Sequence, residues 1–303
     1  MKTELKRNLP ASIRARLLNL SRLHREDFQV TLIRYGLERF LYRLGESELR
    51  GRFVLKGAAL FTLWFDVPHR PTHDLDLLGL GNPGIAQMIG NMRVICAVPC
   101  DDGLVFDPDH ITAHPIQVDA PYVGTRVNLH AVLVTAQIGL QIDIGIGDAV
   151  FPAPEWVAYR TMLDLPAPRV RAYVVYTTVA EKFHAGVILD LANTRMKDFY
   201  DLWYLSREKY FDGALLSQAI QTTFQRRSTT FPARTPAMLS ERFRIDPIKE
   251  VQWRAFLNKN QLSNAPPWAA VTEHIQSWLG PVFEAVRAGQ TFDKVWQPPL
   301  GWR

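Results

Sequence analysis

The chain has 303 residues, 47% hydrophobic and 21% charged, which is ordinary for a globular protein and long enough for one large domain or two. No run reaches the roughly 20 apolar residues of a membrane helix, and the basic start "MKTELKRNLPASIRARLL" lacks the continuous apolar core of a secretory signal. Only Cys96 and Cys100 are present, too few for a disulfide framework or a closed zinc site, so reduced thiols in a cytoplasmic protein are expected; the net charge of +5 admits nucleic-acid or nucleotide partners without selecting them.

In chain order, "SIRARLLNLSRL" and "REDFQVTLIRYGLERFLYRLGES" read as helices. In the second, Phe28, Leu32, Tyr35, Phe40 and Leu44 follow a helical stripe and Gly45 supplies a stop. "RFVLKGAALFTLWF" reads as a short strand, a Lys-Gly turn and a short apolar helix. "THDLDLLGL" follows as a strand, and "PGIAQMIGNMRVICAV" as a helix opening at a proline. From about Ile116 to Val150, "TRVNLHAVLV" and "AQIGLQIDIGIGD" place β-branched and apolar residues at period two, which predicts paired strands. The proline-rich region from Phe151 to Arg171 holds one more candidate strand around "WVAYRTML". Helices then dominate: "YTTVAEKFHAGVILDL", "RMKDFYDLWYLSREKYF", "GALLSQAIQTTFQRR", "KEVQWRAFLNKN" and "VTEHIQSWLGPVFEAVRAG". The predicted architecture is α/β (α+β): a mixed sheet with flanking helices over residues 1–170, then a mostly helical domain over 171–303.

Polar residues inside these elements mark a candidate site. In "RPTHDLDLLG", alternation points Asp74 and Asp76 to one strand face and Leu75 and Leu77 to the other. Such a pair is a weak signal alone, since acidic residues two apart are common on solvated faces. Upstream, "VLKGAAL" predicts a strand running through Gly57 into a helix N-terminus, where backbone N–H groups favour phosphate oxygens. A tight strand-to-helix connection would also prefer Gly, and Lys56 reads either as a phosphate contact or as a solvated turn residue. Downstream, Asp143 stands between Ile142 and Ile144 and needs compensation if it is buried. Placed beside the Asp74/Asp76 strand, it completes a three-carboxylate cluster suited to two divalent ions, Mg²⁺ or Mn²⁺, which take hard oxygen ligands. Asp148 reads as a strand-end or turn residue, and His69 and His73 as polar loop positions.

The helical half carries a second constellation. Glu181 and Lys182 stand on one helix, and Arg195, Lys197, Asp198 and Asp201 on the next, with i,i+3 and i,i+4 spacings among them. Spacing alone reads as surface ion pairs worth about 0.3–0.5 kcal/mol each. The functional reading has Lys182 bind a triphosphate and Asp198 orient that lysine or the base and sugar. His184 reads as a partly buried residue, and Trp64, Trp203, Trp253 and Trp278 as core positions. Arg226, Arg227, Arg234, Arg242 and Arg244 read either as a basic surface steering RNA phosphates or as a solvated face.

The order of strand, glycine turn, helix, DxD strand and a later strand with one Asp resembles the layout of the nucleotidyltransferase superfamily. More closely, the chain resembles the AbiEii/AbiGii-type nucleotidyltransferase toxins of type IV toxin–antitoxin systems. The matching stretches are "RFVLKGAALFTLW", "HRPTHDLDLLG", "LQIDIGIGD", "VAEKFHAGVILDLANTRMKDFYDL" and "TPAMLSERFRIDPIKEVQWRAFL", in order from about residue 28 to 258. The resemblance implies a bilobed enzyme with an NTP in its cleft and Mg²⁺ bound by carboxylates. It implies transfer of a nucleotide to the 3′ end of tRNA with release of pyrophosphate, blocking aminoacylation, and a cognate antitoxin as partner. Other outcomes of the same reading are transfer to a protein or small-molecule hydroxyl, or a GTP- or NTP-binding regulator without catalysis. Carried over by position, Asp74, Asp76 and Asp143 are metal ligands and catalytic residues, and Lys182 and Asp198 are catalytic. Lys56, Gly57, Arg70, Lys182, Arg195, Lys197 and Asp201 contact the nucleotide. The chain departs from the pattern at "KGAAL", where Ala58 and Ala59 follow the glycine; many members carry Gly-Gly or Gly-Ser/Thr in this turn, and the hydroxyl contact to phosphate that Ser or Thr would make is missing here.

Overall fold

Local capping opens the first helices. Asn8 and Asp27 precede α1 (Leu9–His24) and α2 (Phe28–Glu46), and each side-chain oxygen accepts from first-turn N–H groups. This computed structural model describes residues 8–65, 70, 72–81, 83–119, 122–148, 150–262 and 264–303. After α2 come β1 (Phe53–Lys56), a 3₁₀ turn over Gly57–Leu60, α3 (Phe61–Trp64), β2 (Asp74–Gly79) and α4 (Ile85–Cys96). The strands β3 (Leu104–Asp119), β4 (Tyr122–Leu133), β5 (Ala136–Ile146), β6 (Glu155–Ala158) and β7 (Arg169–Ala172) follow. These strands form one mixed sheet in the order β3-β4-β5-β2-β1-β7-β6. The β2/β5 and β1/β7 pairs are parallel and the others antiparallel.

Alternation divides this sheet into two chemistries. Leu75, Leu77, Leu140, Ile142 and Ile144 lie on one face and are buried, each contributing about 1.5–3 kcal/mol by leaving water. Helix α2 packs on β5 and β7. A Cβ on Gly45 would stand 2.5 Å from the Arg169 carbonyl oxygen. Gly45 therefore does not stop α2, which continues to Glu46 and ends at Ser47; it lets the helix backbone approach β7. The other face presents Asp74, Asp76, Asn128, Gln141 and Asp143, all half-buried.

The chain separates into two compact units, one of residues 1–147 and 155–173 that holds this sheet, the other of residues 148–154 and 174–303. The second contains α5 (Val175–Leu189), α6 (Met196–Glu208), β8 (Phe211–Asp212), α7 (Gly213–Arg226), α8 (Glu241–Arg244), α9 (Pro247–Lys259) and α10 (Trp268–Arg287). It closes with β9 (Val295–Gln297) and β10 (Gly301–Trp302), which with β8 make a small antiparallel sheet. Trp253, Trp268 and Trp278 are fully buried in its core, Trp268 against Trp253, Phe199 and Phe243, and Trp278 against Phe211 and Trp296. Trp253 Nε1 donates to the Pro266 carbonyl and Trp268 Nε1 to that of Phe243.

The α/β class, the DxD strand and the β4–β5 pair are as the sequence predicts. Strands β3 and β7 and the three-stranded sheet were not expected. Cys96 and Cys100 are free thiols. None of the described helices is long and apolar enough to cross a membrane.

Candidate active site

The polar face of the first unit is organised in lateral rows. Register pairs His114 with Arg126, Arg126 with Asp143, Asp143 with Asp76, and Asp76 with Lys56, across β3, β4, β5, β2 and β1. A second row runs Thr112, Asn128, Gln141, Asp74. Directly opposed residues share a sheet face, and like charges so placed repel. Here the two adjacent carboxylates, Asp76 and Asp143, are bracketed by Lys56 on one side and Arg126 on the other.

Arg126 grips Asp143 with both arms of its guanidinium. Its Nε donates to Oδ1 at 2.8 Å and its Nη2 to Oδ2 at 2.7 Å, a bidentate charge-assisted pair. The Gln141 side-chain oxygen, in the amide orientation that satisfies both its atoms, accepts from the same guanidinium nitrogens at 3.2 and 3.3 Å. The hydrogen bond to Asp143, then the attraction of Asp143, Asp74 and Asp76, raises the Arg126 pKa despite partial desolvation. Asp74 accepts from Thr72 Oγ1 at 2.9 Å. Lys56 is buried at the end of β1. Gly57 has φ +71°, and a Cβ there would lie 2.6 Å from Asp76 Cγ. The backbone of the glycine turn therefore lies directly against the second carboxylate of the DxD pair. Arg70 is half-buried in a bend before β2, and His73 is exposed, as a loop histidine would be. His69 lies outside the described residues.

These donors fit a divalent cation in chemistry: carboxylate oxygens on adjacent strands of one face are what Mg²⁺ or Mn²⁺ takes. Asp74 and Asp76 project from one strand on the same face. Both oxygens of Asp143, in contrast, are engaged by Arg126, and no group of three His, Cys, Asp or Glu side chains suited to a metal is assembled among the described residues. The three-carboxylate cluster expected from the sequence is thus not closed in this arrangement.

The second unit holds the other constellation, and it is not on the surface. Lys182 on α5 places Nζ 2.6 Å from Asp198 Oδ1 and 2.8 Å from Asp201 Oδ2, both on α6. Arg195 Nε lies 2.7 Å from Asp198 Oδ2. The side chains of Asp198 and Asp201 are 5% and 0% exposed, so the reading of these pairs as surface ion pairs is corrected. Burial pushes the Asp198 pKa up, but Lys182 and Arg195 outweigh it and hold the carboxyl below its usual range. Lys197 is exposed on α6, while Asp201 faces Lys182.

A second buried network corrects the basic-surface reading in part. Arg227 is 7% exposed, with Nη2 2.9 Å from Asp148 Oδ1. Its Nη1 lies 3.2 Å from His184 Nδ1, and His184 Nε2 lies 2.9 Å from Thr229 Oγ1. Because a guanidinium only donates, Nδ1 accepts and Nε2 carries the proton. Burial, then Arg227, depresses the His184 pKa to about 4. Arg227 therefore anchors the interior, while Arg226, Arg234 and Arg242 remain exposed.

With this geometry in place, the chain's kinship is direct. Strand, glycine turn and paired carboxylates are those of a nucleotidyl-transfer enzyme, and the family model described as the nucleotidyl transferase AbiEii toxin of type IV toxin–antitoxin systems matches residues 39–286. The chain belongs to that family. No match is found among curated proteins. A Helicobacter pylori protein assigned to the nucleotidyltransferases is 13% identical, over 85% of this chain and 96% of its own, with a TM-score of 0.44. The JHP933 protein of Helicobacter pylori is 14% identical, over 84% of this chain and 90% of its own, with a TM-score of 0.43. Similarity of that order carries no argument about the site.

Sequence reasoning overlooked Arg126, Gln141 and the Asp148–Arg227 pair. For Arg126 a signal existed: Arg126, Asn128 and His130 alternate with Val127, Leu129 and Ala131, so β4 brings one arginine to the polar face that β5 shares.

Proposed function

We propose that this chain transfers a nucleotide from an NTP to the 3′ end of tRNA, releasing pyrophosphate and blocking aminoacylation, and that a cognate antitoxin restrains it in the cytoplasm. The observation that carries the reading is the row of Lys56, Asp76 and Asp143 with the Gly57 backbone pressed against Asp76. Asp74 and Asp76 would hold Mg²⁺, with Asp143 completing the set during turnover. Bound there, the metal supplies neutralisation of charge on the attacking and departing oxygens. Asp143 takes the proton of the attacking tRNA hydroxyl. Lys56 offsets the negative charge of Asp76, and the Gly57 turn offers backbone N–H groups to phosphate oxygens in place of the hydroxyl that Ala58 and Ala59 lack. In the second unit, Lys182 is the proposed phosphate contact, held in position by Asp198 and Asp201, with Arg195 beside them and Lys197 and Arg70 as further nucleotide contacts.

Incubation with each labelled NTP, Mg²⁺ and total cellular RNA tests this reading. Label in tRNA is the expected result; label in protein moves the acceptor to a protein hydroxyl, and binding without transfer makes the chain a regulator. Asp76→Asn is expected to abolish transfer while leaving the circular dichroism spectrum unchanged. Full activity in that variant refutes the assignment.

A further inference from the structure

We propose that Arg126 is a resident counter-ion of the carboxylate row: it holds Asp143 until a nucleoside triphosphate draws the guanidinium onto phosphate, and Asp143 is then released to the divalent cation. This inference rests on the reading of Asp74, Asp76 and Asp143 as the carboxylates that receive that cation.

The two cations that bracket the row differ in access. Lys56 is buried at the end of a central strand. The Arg126 side chain is 35% exposed, against 14% for Asp143, so of the two bracketing cations Arg126 is the one that solvent or a ligand reaches. A guanidinium fork fits phosphate oxygens in the same bidentate geometry with which it grips a carboxylate. Exchange of one anion for another costs it little. Asp143 makes the opposite exchange, guanidinium for metal. The row never carries adjacent carboxylates without a neighbouring cation, which is the condition that like-charge repulsion imposes.

Linkage follows. If Asp143 reaches the metal only when Arg126 has left it, phosphate binding and cation binding promote each other, and each must raise the other's affinity by the same factor. Occupancy of Asp143 by Arg126 then keeps the site from taking up metal before substrate is present.

The test uses Mn²⁺ alone, followed by electron paramagnetic resonance on the full chain, with an α,β-methylene nucleoside triphosphate as the second probe. Arg126→Gln is expected to tighten binding of Mn²⁺ alone on the order of tenfold, the worth of one charge-assisted hydrogen bond. It is also expected to weaken binding of the metal-free nucleotide analogue. Arg126→Lys, which keeps the charge and loses the fork, should fall between. Adding Asp143→Asn to Arg126→Gln should erase the Mn²⁺ gain. Unchanged Mn²⁺ affinity in Arg126→Gln, or a gain that survives Asp143→Asn, overturns the inference and leaves the carboxylate reading standing. Wild-type Mn²⁺ binding in Asp76→Asn, or no Mn²⁺ binding by any of these proteins with or without the analogue, overturns the carboxylate reading itself and this inference with it.

Discussion

At Gly57, two independent constraints meet in one residue. Its φ of +71° lies where side-chain-bearing residues are strained, and the space a Cβ would take is filled by the carboxyl of Asp76. Gly57→Ala is expected to cost about 1–3 kcal/mol in urea unfolding and to lose nucleotide transfer by displacing Asp76; a variant that transfers normally would contradict the proposed contact. The strand-face positions were legible in the sequence: Asp76 and Asp143 sit between apolar neighbours that fix the face, and Asp74 follows from Asp76 by the period of two. Arg126 was not singled out, because an arginine on a polar strand face is ordinary until the partner strand's register is known. The burial of Asp198 and Asp201 was equally hidden, since i,i+3 spacing is the same on a solvated helix face and on an interior one.

At the scale of elements, the hairpin between β4 and β5 sets the site's register. Leu133 pairs with Ala136, leaving Val134 and Thr135 as a two-residue loop, and Val134 has φ +62°. Such loops favour glycine at the first position, and a β-branched residue there is strained. Val134→Gly is therefore expected to stabilise the chain by about 1 kcal/mol, read as a higher thermal midpoint; a lower midpoint would show that the strain is relieved elsewhere. Strand β3 escaped sequence reading for a physical reason. It lies at the sheet edge, where the ladder is needed on one side only, and so tolerates Pro108, Pro115 and a register shift between Asp107 and Thr112. The β7 strand, four residues with two arginines, is too short to show a period.

At the scale of the whole chain, each unit carries a buried titratable group, and the two pull stability in opposite directions. In the first unit, burial raises the Glu38 pKa to about 7, although Arg39 and the Met162 N–H act against it. A carboxyl raised above its unfolded value of about 4.5 favours folding at low pH, and that contribution is lost as pH rises from about 4.5 through 7. In the second unit, His184 is depressed from 6.5 to about 4, so its contribution is present above about 6.5 and is lost as pH falls toward 4. Each amounts to about 3 kcal/mol in order of magnitude. Thermal unfolding between pH 4 and 7.5 should show Glu38→Gln removing the loss toward neutral pH and His184→Gln removing the loss toward acid. Profiles identical to wild type would contradict both assignments. Residues 148–154 group with the second unit, where Asp148 meets Arg227 far along the chain; a change of texture along the sequence carries no signal for such a return.

The pairing of β2 with β5 bears on how such a protein decays under mutation. Side chains along a strand alternate with a period of two, so a one-residue insertion that parted Asp143 from Asp76 would also turn Ile142 and Ile144 toward water. Inactive descendants of this gene that still fold will therefore carry side-chain replacements at the carboxylates and an intact strand length. An insertion or deletion within Gln137–Ile144 of β5 breaks that register and is expected to cost the fold as well as the site.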